Sequence, residues 1–272
     1  MPAPSHSEET LLAAAIADLG SGRFPISLNA WLKSCVAYDN ITILAYFPNQ
    51  PPTPVMFESQ QPKVHENINE IYLGGAYLLD PFHDLHAKNA PSGLYRLSDI
   101  APDKFHKNQY FLEYYRRTTI VDEVAFVSHP SPGISLHVCL GRDSFSNRRF
   151  SSRNLANAQR IAPIVNILTA KHWKDLAASS SAAKGGFVAA LINAVNQALE
   201  IQLTPRQAEV AILILQGHSS VSIGLKLEIS YQTVKVFRKQ LYQKCAISSQ
   251  AELFNLVLPL LGPLSESLSA KP

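Results

Sequence analysis

Residues 203–258 read LTPRQAEVAILILQGHSSVSIGLKLEISYQTVKVFRKQLYQKCAISSQAELFNLVL, and the start signals, apolar spacings and stop signals in them predict four short helices. Thr204 is placed to cap the first, with Pro205 at its first position and Gln207 reaching back, and the stripe Val210, Leu213, Ile214 runs to Gly217, a left-handed stop. Ser219 or Ser220 opens a second helix with Ile223, Leu225 and Leu227 expected inward, and Glu228, Ile229 and Ser230 make the turn that follows. Ser230 caps a third helix, from Tyr231 to about Cys245. Two helices joined by so short a turn form a helix-turn-helix. In the third helix Val234, Phe237, Leu241 and Cys245 share one face, while Gln232, Lys235, Val236, Lys239 and Gln243 lie opposite, flanked by Thr233 and Arg238. Ser249 and Glu252 give a second capping box, which starts a closing helix through Leu253, Leu256 and Val257.

The major groove of B-DNA is about as wide as one helix with its side chains. A helix that enters it needs an apolar back and a polar, cationic front, and the third helix has both. Six Lys/Arg (Arg206, Lys226, Lys235, Arg238, Lys239, Lys244) stand against three Glu in this stretch, a basic footprint suited to phosphate. The stretch resembles the DNA-binding domain of LuxR/FixJ (NarL-type) regulators at Leu203-Thr204, Arg206, Glu209-Val210, Gly217, Ser219, Ile223, Leu227, Ile229-Ser230, Thr233-Val234-Lys235, Tyr242, Lys244 and Glu252-Leu253. It departs from that pattern at Ser220, where Asn is usual, at Phe237, where His is common, and at Gln250, where Arg often precedes the last helix. The resemblance implies a transcription regulator that binds double-stranded DNA. Lys235, Lys239 and Arg238 are expected on phosphates or guanine edges, and Gln232, Thr233, Val236 and Tyr231 toward bases. Thr204, Arg206, Ser219, Ser220 and Lys244 are expected at the DNA backbone, and Ser230 is expected among the DNA-binding residues. A homodimer would read an inverted repeat with half-sites about one helical turn apart.

The chain has 272 residues, so a second unit should precede the helical one. Its 46% hydrophobic and 17% charged residues suit a soluble globular protein, and no apolar run approaches the ~20 residues of a membrane span. The start MPAPSHSEET has neither the basic head nor the apolar core of a signal peptide, which leads to the expectation of a cytoplasmic protein. Cys35, Cys139 and Cys245 each sit in apolar patterns without metal spacing, so buried free thiols are expected.

Going back to the start, Ser7 can cap a helix through Leu19 stopped by Gly20, and a second helix is expected from Pro25 to Ala37 with Leu28, Trp31, Leu32 and Cys35 on one face. Residues 40–48 and 54–58 carry strand chemistry around an Asn49–Pro52 turn. Residues 64–79 are expected as one helix containing Gly74-Gly75 and ended by Asp80-Pro81, since proline disfavours the helical region before it. Residues 82–102 are irregular in pattern, with a short strand at 94–97; residues 105–118 are expected as a helix. Strands at 121–128 and 134–141 and a long helix from Ser151 to about Lys174 follow.

This order predicts an α+β fold: a GAF/PAS-like α/β/α sandwich with an antiparallel sheet over residues 1–175, and an all-α four-helix domain over 201–262. Residues 171–186 lose periodicity in favour of Ala, Ser and Gly and read as a linker. The seam Phe187, Leu191, Val195, Leu199 then belongs to a connecting helix, either packed on its own domain or used for dimerisation; residues 263–272 are expected as a flexible tail.

Residues 1–175 lack the order and motifs of a phosphoryl receiver. An antiparallel sheet under helices suits a small-molecule sensor better, with Tyr72, Tyr77, Asp80, Phe82, Tyr110, Tyr114, Asp122, Glu123 and Phe126 as the expected ligand-binding residues. Tyr77 to Phe82 resembles the Tyr and Asp-Pro element of LuxR-type autoinducer domains, but the spacing is one residue short and no Trp precedes Asp80. An acyl-homoserine lactone therefore ranks below another metabolite, as in LuxR solos. The acids Asp122 and Glu123 beside tyrosines would suit an amine, or an aromatic compound. The alternative is a protein-interaction module. His83 and His86 are spaced H-x-x-H without a third ligand, and no nucleophile elbow or phosphate-cradling loop occurs, so neither a metal, a cofactor nor an enzyme is expected.

Overall fold

A computed structural model describes residues 7–48, 50–176 and 187–269. Helix α1 (Glu8–Ala17) starts at Ser7, whose hydroxyl accepts the Thr10 N–H, and α2 (Phe24–Cys35) buries Leu28, Trp31, Leu32 and Cys35, the expected face. Strand β1 (Asn40–Phe47) pairs antiparallel with β2 (Gln50–Ser59). Ladder pairing thus extends back to Gln50, through the prolines read as a turn; β2 is an edge strand, where a missing N–H is tolerated.

Residues 64–79 are not one helix. A 3₁₀ turn (Pro62–Val64), one π turn (Ile68–Tyr72) and a second 3₁₀ turn (Ala76–Leu79) follow each other, because Gly75 sits at φ 136°, outside the helical region, and a side chain at Gly74 would lie 2.3 Å from the Glu70 carbonyl. Asp80 then begins a helix as well as ending a turn: its carboxylate accepts the Phe82 N–H and caps α3 (Pro81–Ala87), in a region with no helical pattern of its own. Strand β3 (Gly93–Arg96) and the single turn α4 (Leu97–Ile100) come next. The expected helix over 105–118 is divided into a 3₁₀ turn (Phe105–Lys107), α5 (Gln109–Glu113) capped by Asn108, and a 3₁₀ turn (Tyr115–Thr118) ended by Thr119 at φ 64°. Strands β4 (Ile120–Ser131) and β5 (Ile134–Asp143) form a longer hairpin than expected.

The sheet order is β2-β1-β5-β4-β3, antiparallel throughout. Helices α2 and α6 (Ser152–His172) cover one face through Ile41, Ile43, Val124, Phe126, Leu136 and Val138, each fully buried side chain of this size contributing about 1.5–3 kcal/mol. The broken segment 62–118 covers the other. The fold is α+β, with the sheet between two helical layers. Helix α6 keeps Lys171 and His172, and Trp173 is buried beside the Phe24 ring, so the first residues read as linker belong to the sandwich. The rest of that reading, residues 177–186, lies outside the described residues.

Helix α7 (Phe187–Leu199) leads into α8 (Pro205–Gln216), α9 (Ser220–Leu227), α10 (Tyr231–Lys244) and α11 (Gln250–Ser269). Leu191 and Val195 of the apolar seam are fully buried, with α8 and α11 lying against α7. These two seam residues are therefore covered within the chain. Leu225, expected inward, is 78% exposed; Ile223 and Gly224 hold the inner face, and the Gly224 Cα faces the Ile229 carbonyl closely enough that a side chain there would clash. Residues 263–269, expected in a flexible tail, continue α11 to Ser269, and 270–272 fall outside the description.

Candidate DNA interface and ligand pocket

Caps fix the helix-turn-helix locally. Thr204 and Gln207 make the reciprocal capping box of α8, Gly217 closes it at φ 98°, Ser219 caps α9 and Ser230 caps α10. Val234 and Leu241 bury the back of α10. On its front Ser230, Tyr231, Gln232, Lys235, Val236 and Lys239 are exposed, with Thr233 and Arg238 half-buried beside them. These sequence-predicted residues therefore share one surface. The Lys235 ammonium lies 4.6 Å from the centre of the Tyr231 ring, which leaves the charge at the surface. Arg238 ties α10 to α9, donating to Ser220 Oγ at 3.0 Å.

Two other predicted cations are engaged inside the domain. Arg206 pairs with Glu209 and donates to the Leu227 carbonyl, bracing the end of α9, while Lys244 donates to the Gln202 carbonyl and to Gln207 Oε1. Thr204 and Ser230 use their hydroxyls as caps.

The second site lies on the opposite side of the sheet from α2 and α6, where a partly open cavity of about 50 Å³ lies between β1, β4, β5 and the broken segment. Its polar groups come mostly from residues that the local turns carry inward. Tyr72 donates to Asp80 Oδ2 at 2.7 Å and meets the Tyr46 hydroxyl at 2.8 Å; Tyr115 donates to Glu123 Oε2 at 2.5 Å. The Tyr72, Tyr114 and Tyr110 rings follow each other in offset stacks at 5.8 and 5.6 Å, and Phe82 completes the aromatic lining. The Tyr110 hydroxyl is buried without a hydrogen-bond partner among the described residues.

Neither Asp80 nor Glu123 has an ion-pair partner among the described residues. Burial pushes the Asp80 carboxyl up to about 6, against the Phe82 N–H and the Tyr72 hydroxyl, and pushes Glu123 up to about 8, against the Tyr115 hydroxyl. The one imidazole in the lining, His65, is held neutral by burial and hydrogen-bonded to Thr42. Two carboxyl groups thus face an aromatic chamber with no cation opposite.

Tyr72, Asp80, Phe82, Tyr110, Tyr114 and Glu123 converge on this cavity as the sequence suggested; three other predicted residues do not. Asp122 and Phe126 lie on the far face of β4, because successive strand residues point to opposite sides. Asp122 pairs with Arg96 at 2.8 Å and accepts the Phe150 N–H, and Phe126 belongs to the α2/α6 core. Tyr77 is buried edge-on to His83, beside the cavity lining. Tyr115, on the aromatic-rich stretch the sequence also singled out, lines the cavity too; missed in turn were Tyr46, Thr42 and Cys139. Their signal is the alternation within β1 and β5, where both faces are buried.

Comparison with known proteins follows this division. Residues 201–257 match the model of the family described as bacterial regulatory proteins, luxR family. Over 187 residues the chain is 33% identical to a protein of Aeromonas salmonicida described as an HTH-type transcriptional regulator in the exeN 3′ region, covering 66% of this chain and 93% of that one. The solved LBD domain of VqsR from Pseudomonas aeruginosa superposes with a TM-score of 0.50 at 24% identity, over 60% of this chain and 94% of its own. Escherichia coli SdiA gives 0.41 at 15% identity, over 95% and 97%.

Proposed function

The chain belongs to the luxR family of bacterial regulatory proteins and is a DNA-binding transcription regulator, and we propose that it answers to a small organic amine held in the sheet cavity. The family is one of transcription regulators and not an enzyme class. No helix among the described residues is long and apolar enough to cross a membrane.

The observation that carries the ligand class is the pair of buried carboxyls, Asp80 and Glu123, set among tyrosine rings without an ion-pair partner among the described residues. Burying an ionisable group without a partner is costly: burial keeps Glu123 neutral below about 8 and Asp80 neutral only below about 6, and both gain from a counter-charge. An ammonium group supplies that charge, and the ring faces add cation–π attraction. The VqsR domain of the same fold is that protein's LBD, which supports the reading of residues 7–176 as the sensing half. On the DNA side Lys235, Arg238 and Lys239 neutralise phosphates or reach guanine edges, and Tyr231, Gln232, Thr233 and Val236 face bases. Two copies reading an inverted repeat in the cytoplasm complete the proposal.

Thermal unfolding of the full chain tests the ligand class. A ligand bound only by the folded state raises the midpoint in proportion to ln(1+[L]/Kd), so choline or phenethylamine should raise it with concentration. Their uncharged isosteres should not. A shift with octanoyl-homoserine lactone and none with the amines would replace the amine by a lactone in the same pocket.

A further inference from the structure

A second, partly open cavity lies where the sensing half meets the DNA-binding half. It measures about 220 Å³, against about 50 Å³ for the tyrosine-lined one, and α3, the end of α4, the end of α8 and α9 border it. Asp80 borders both cavities, its carboxyl bonded to Tyr72 and the Phe82 N–H of the first. The second is lined by apolar groups at Leu85, Ile100 and Pro102 and by nitrogen donors at Lys88, Gln216, His218 and Lys226. Apolar walls with a few converging polar groups are the usual make-up of a ligand site.

The polar groups here are out of balance. Asp84, the carboxylate beside the lysines, is engaged at both oxygens: Lys88 pairs with Oδ2, and Gln216 Nε2 donates to Oδ1 at 3.1 Å. Asp103 is occupied by the Ser219 N–H and does not line the cavity. Lys226 has no ion-pair partner among the described residues. Burial and the nearby charge of Lys88 hold it below the ordinary lysine range, against the attraction of Asp84. His218 is 8% exposed; its Nδ1 meets Ser222 Oγ at 2.9 Å, while its Nε2 is buried without a hydrogen-bond partner among the described residues. Burial pushes this imidazole down to about 4, so it is neutral near pH 7. With the Ser222 hydroxyl donating to Nδ1, Nε2 carries the proton and is a donor without an acceptor. A buried polar group left in that state calls for a reason.

We propose that the cavity between the two halves is a second ligand site, for a small organic acid whose carboxylate sits among Lys226, Lys88 and the His218 Nε2–H and whose apolar body lies on Leu85, Ile100 and Pro102. A carboxylate gives Lys226 a counter-charge, offsets the repulsion between Lys226 and Lys88, and supplies the acceptor that Nε2 lacks. A cation would meet two ammonium groups, and a wholly apolar molecule would leave Nε2 unpaired. The two cavities therefore select opposite charges, and the acid site does not depend on the amine reading of the first.

Thermal unfolding and calorimetric titration of the full chain at fixed ionic strength test the site, with phenylacetate and its uncharged amide, phenylacetamide, as probes. Phenylacetate should raise the melting midpoint with concentration, and the amide should not. Lys226→Met keeps the length of this exposed side chain and removes its charge, and should weaken phenylacetate binding roughly tenfold, the size of one hydrogen bond to a charged group. Lys174→Met, which removes an exposed charge beyond the end of α6, should leave binding unchanged. Amide hydrogen exchange locates the acid: phenylacetate should slow exchange in α3 and at residues 216–218 together. No response of the wild type to phenylacetate, an equal response to the amide, or equal losses from Lys226→Met and Lys174→Met would overturn the site. Protection confined to α5 and β4 would overturn it too, by seating the acid in the first cavity.

Discussion

Asp122 and Glu123 are adjacent in sequence and face opposite sides of one sheet, Asp122 paired with Arg96 and Glu123 bonded to Tyr115 inside the cavity. Their surroundings therefore differ. Glu123 ionises near ~4.3 in the unfolded chain but near about 8 in the folded one. Its folded-state value is raised, so its contribution to stability is fully present below ~4.3, falls as pH climbs, and is lost above about 8. Asp80 adds a fall of the same sign that ends near about 6. In Glu123→Gln the melting midpoint should stop falling between those two values, and at pH 8 the variant should melt above the wild type. A parallel decline in both proteins would mean that Glu123 is ionised at neutral pH.

Asp122→Asn should behave in the contrary way. Breaking a largely buried pair leaves Arg96 without its charge partner and costs on the order of 3 kcal/mol, yet no pocket group is touched. Chemical denaturation should show the loss of stability, and the midpoint shift on adding choline should stay as large as in the wild type. Loss of the choline response with unchanged stability would return Asp122 to the binding site.

The uneven legibility of this chain has a physical cause. The helix-turn-helix is readable because each helix is short, amphipathic and separately capped, so Thr204, Gly217, Ser219 and Ser230 mark boundaries that local chemistry alone decides. The wall of the cavity from 62 to 118 is made of 3₁₀, π and single α turns, which carry no sustained period, and only its tertiary setting decides where they break. Tyr46 was hidden in β1, where alternate residues face different cores and both faces are buried. The division of Asp122 from Glu123, in contrast, was available from strand alternation once β4 was recognised.

Lys235 and Lys244 should separate by salt dependence. Lys235 is exposed on the front of α10, so Lys235→Ala should weaken binding to duplex DNA and reduce the slope of log K against log salt by roughly one counterion. Lys244 holds the Gln202 carbonyl and Gln207, so Lys244→Ala should lower the melting midpoint and leave the slope nearly unchanged. Equal slopes for Lys235→Ala and the wild type would remove Lys235 from the DNA surface.

Tyr110 offers the sharpest separation of stability from ligand binding. Its hydroxyl is fully buried at the cavity, and no group accepts or donates to it among the described residues. A buried hydroxyl without a partner costs about 1–3 kcal/mol, whereas the ring around it packs as any core aromatic does. Tyr110→Phe removes the hydroxyl and keeps the ring, so in the absence of ligand the variant should be more stable than the wild type by about 1 kcal/mol. If that hydroxyl is kept for a ligand, the order reverses when ligand is present. The wild type then gains a hydrogen bond that the variant cannot make, and the choline- or phenethylamine-dependent rise in melting midpoint should shrink in Tyr110→Phe. Differential scanning calorimetry of both proteins with and without the amine reads the two effects together. A variant that is less stable without ligand, or one that keeps the full ligand response, would show that the hydroxyl already has a partner in solution and takes no part in recognition.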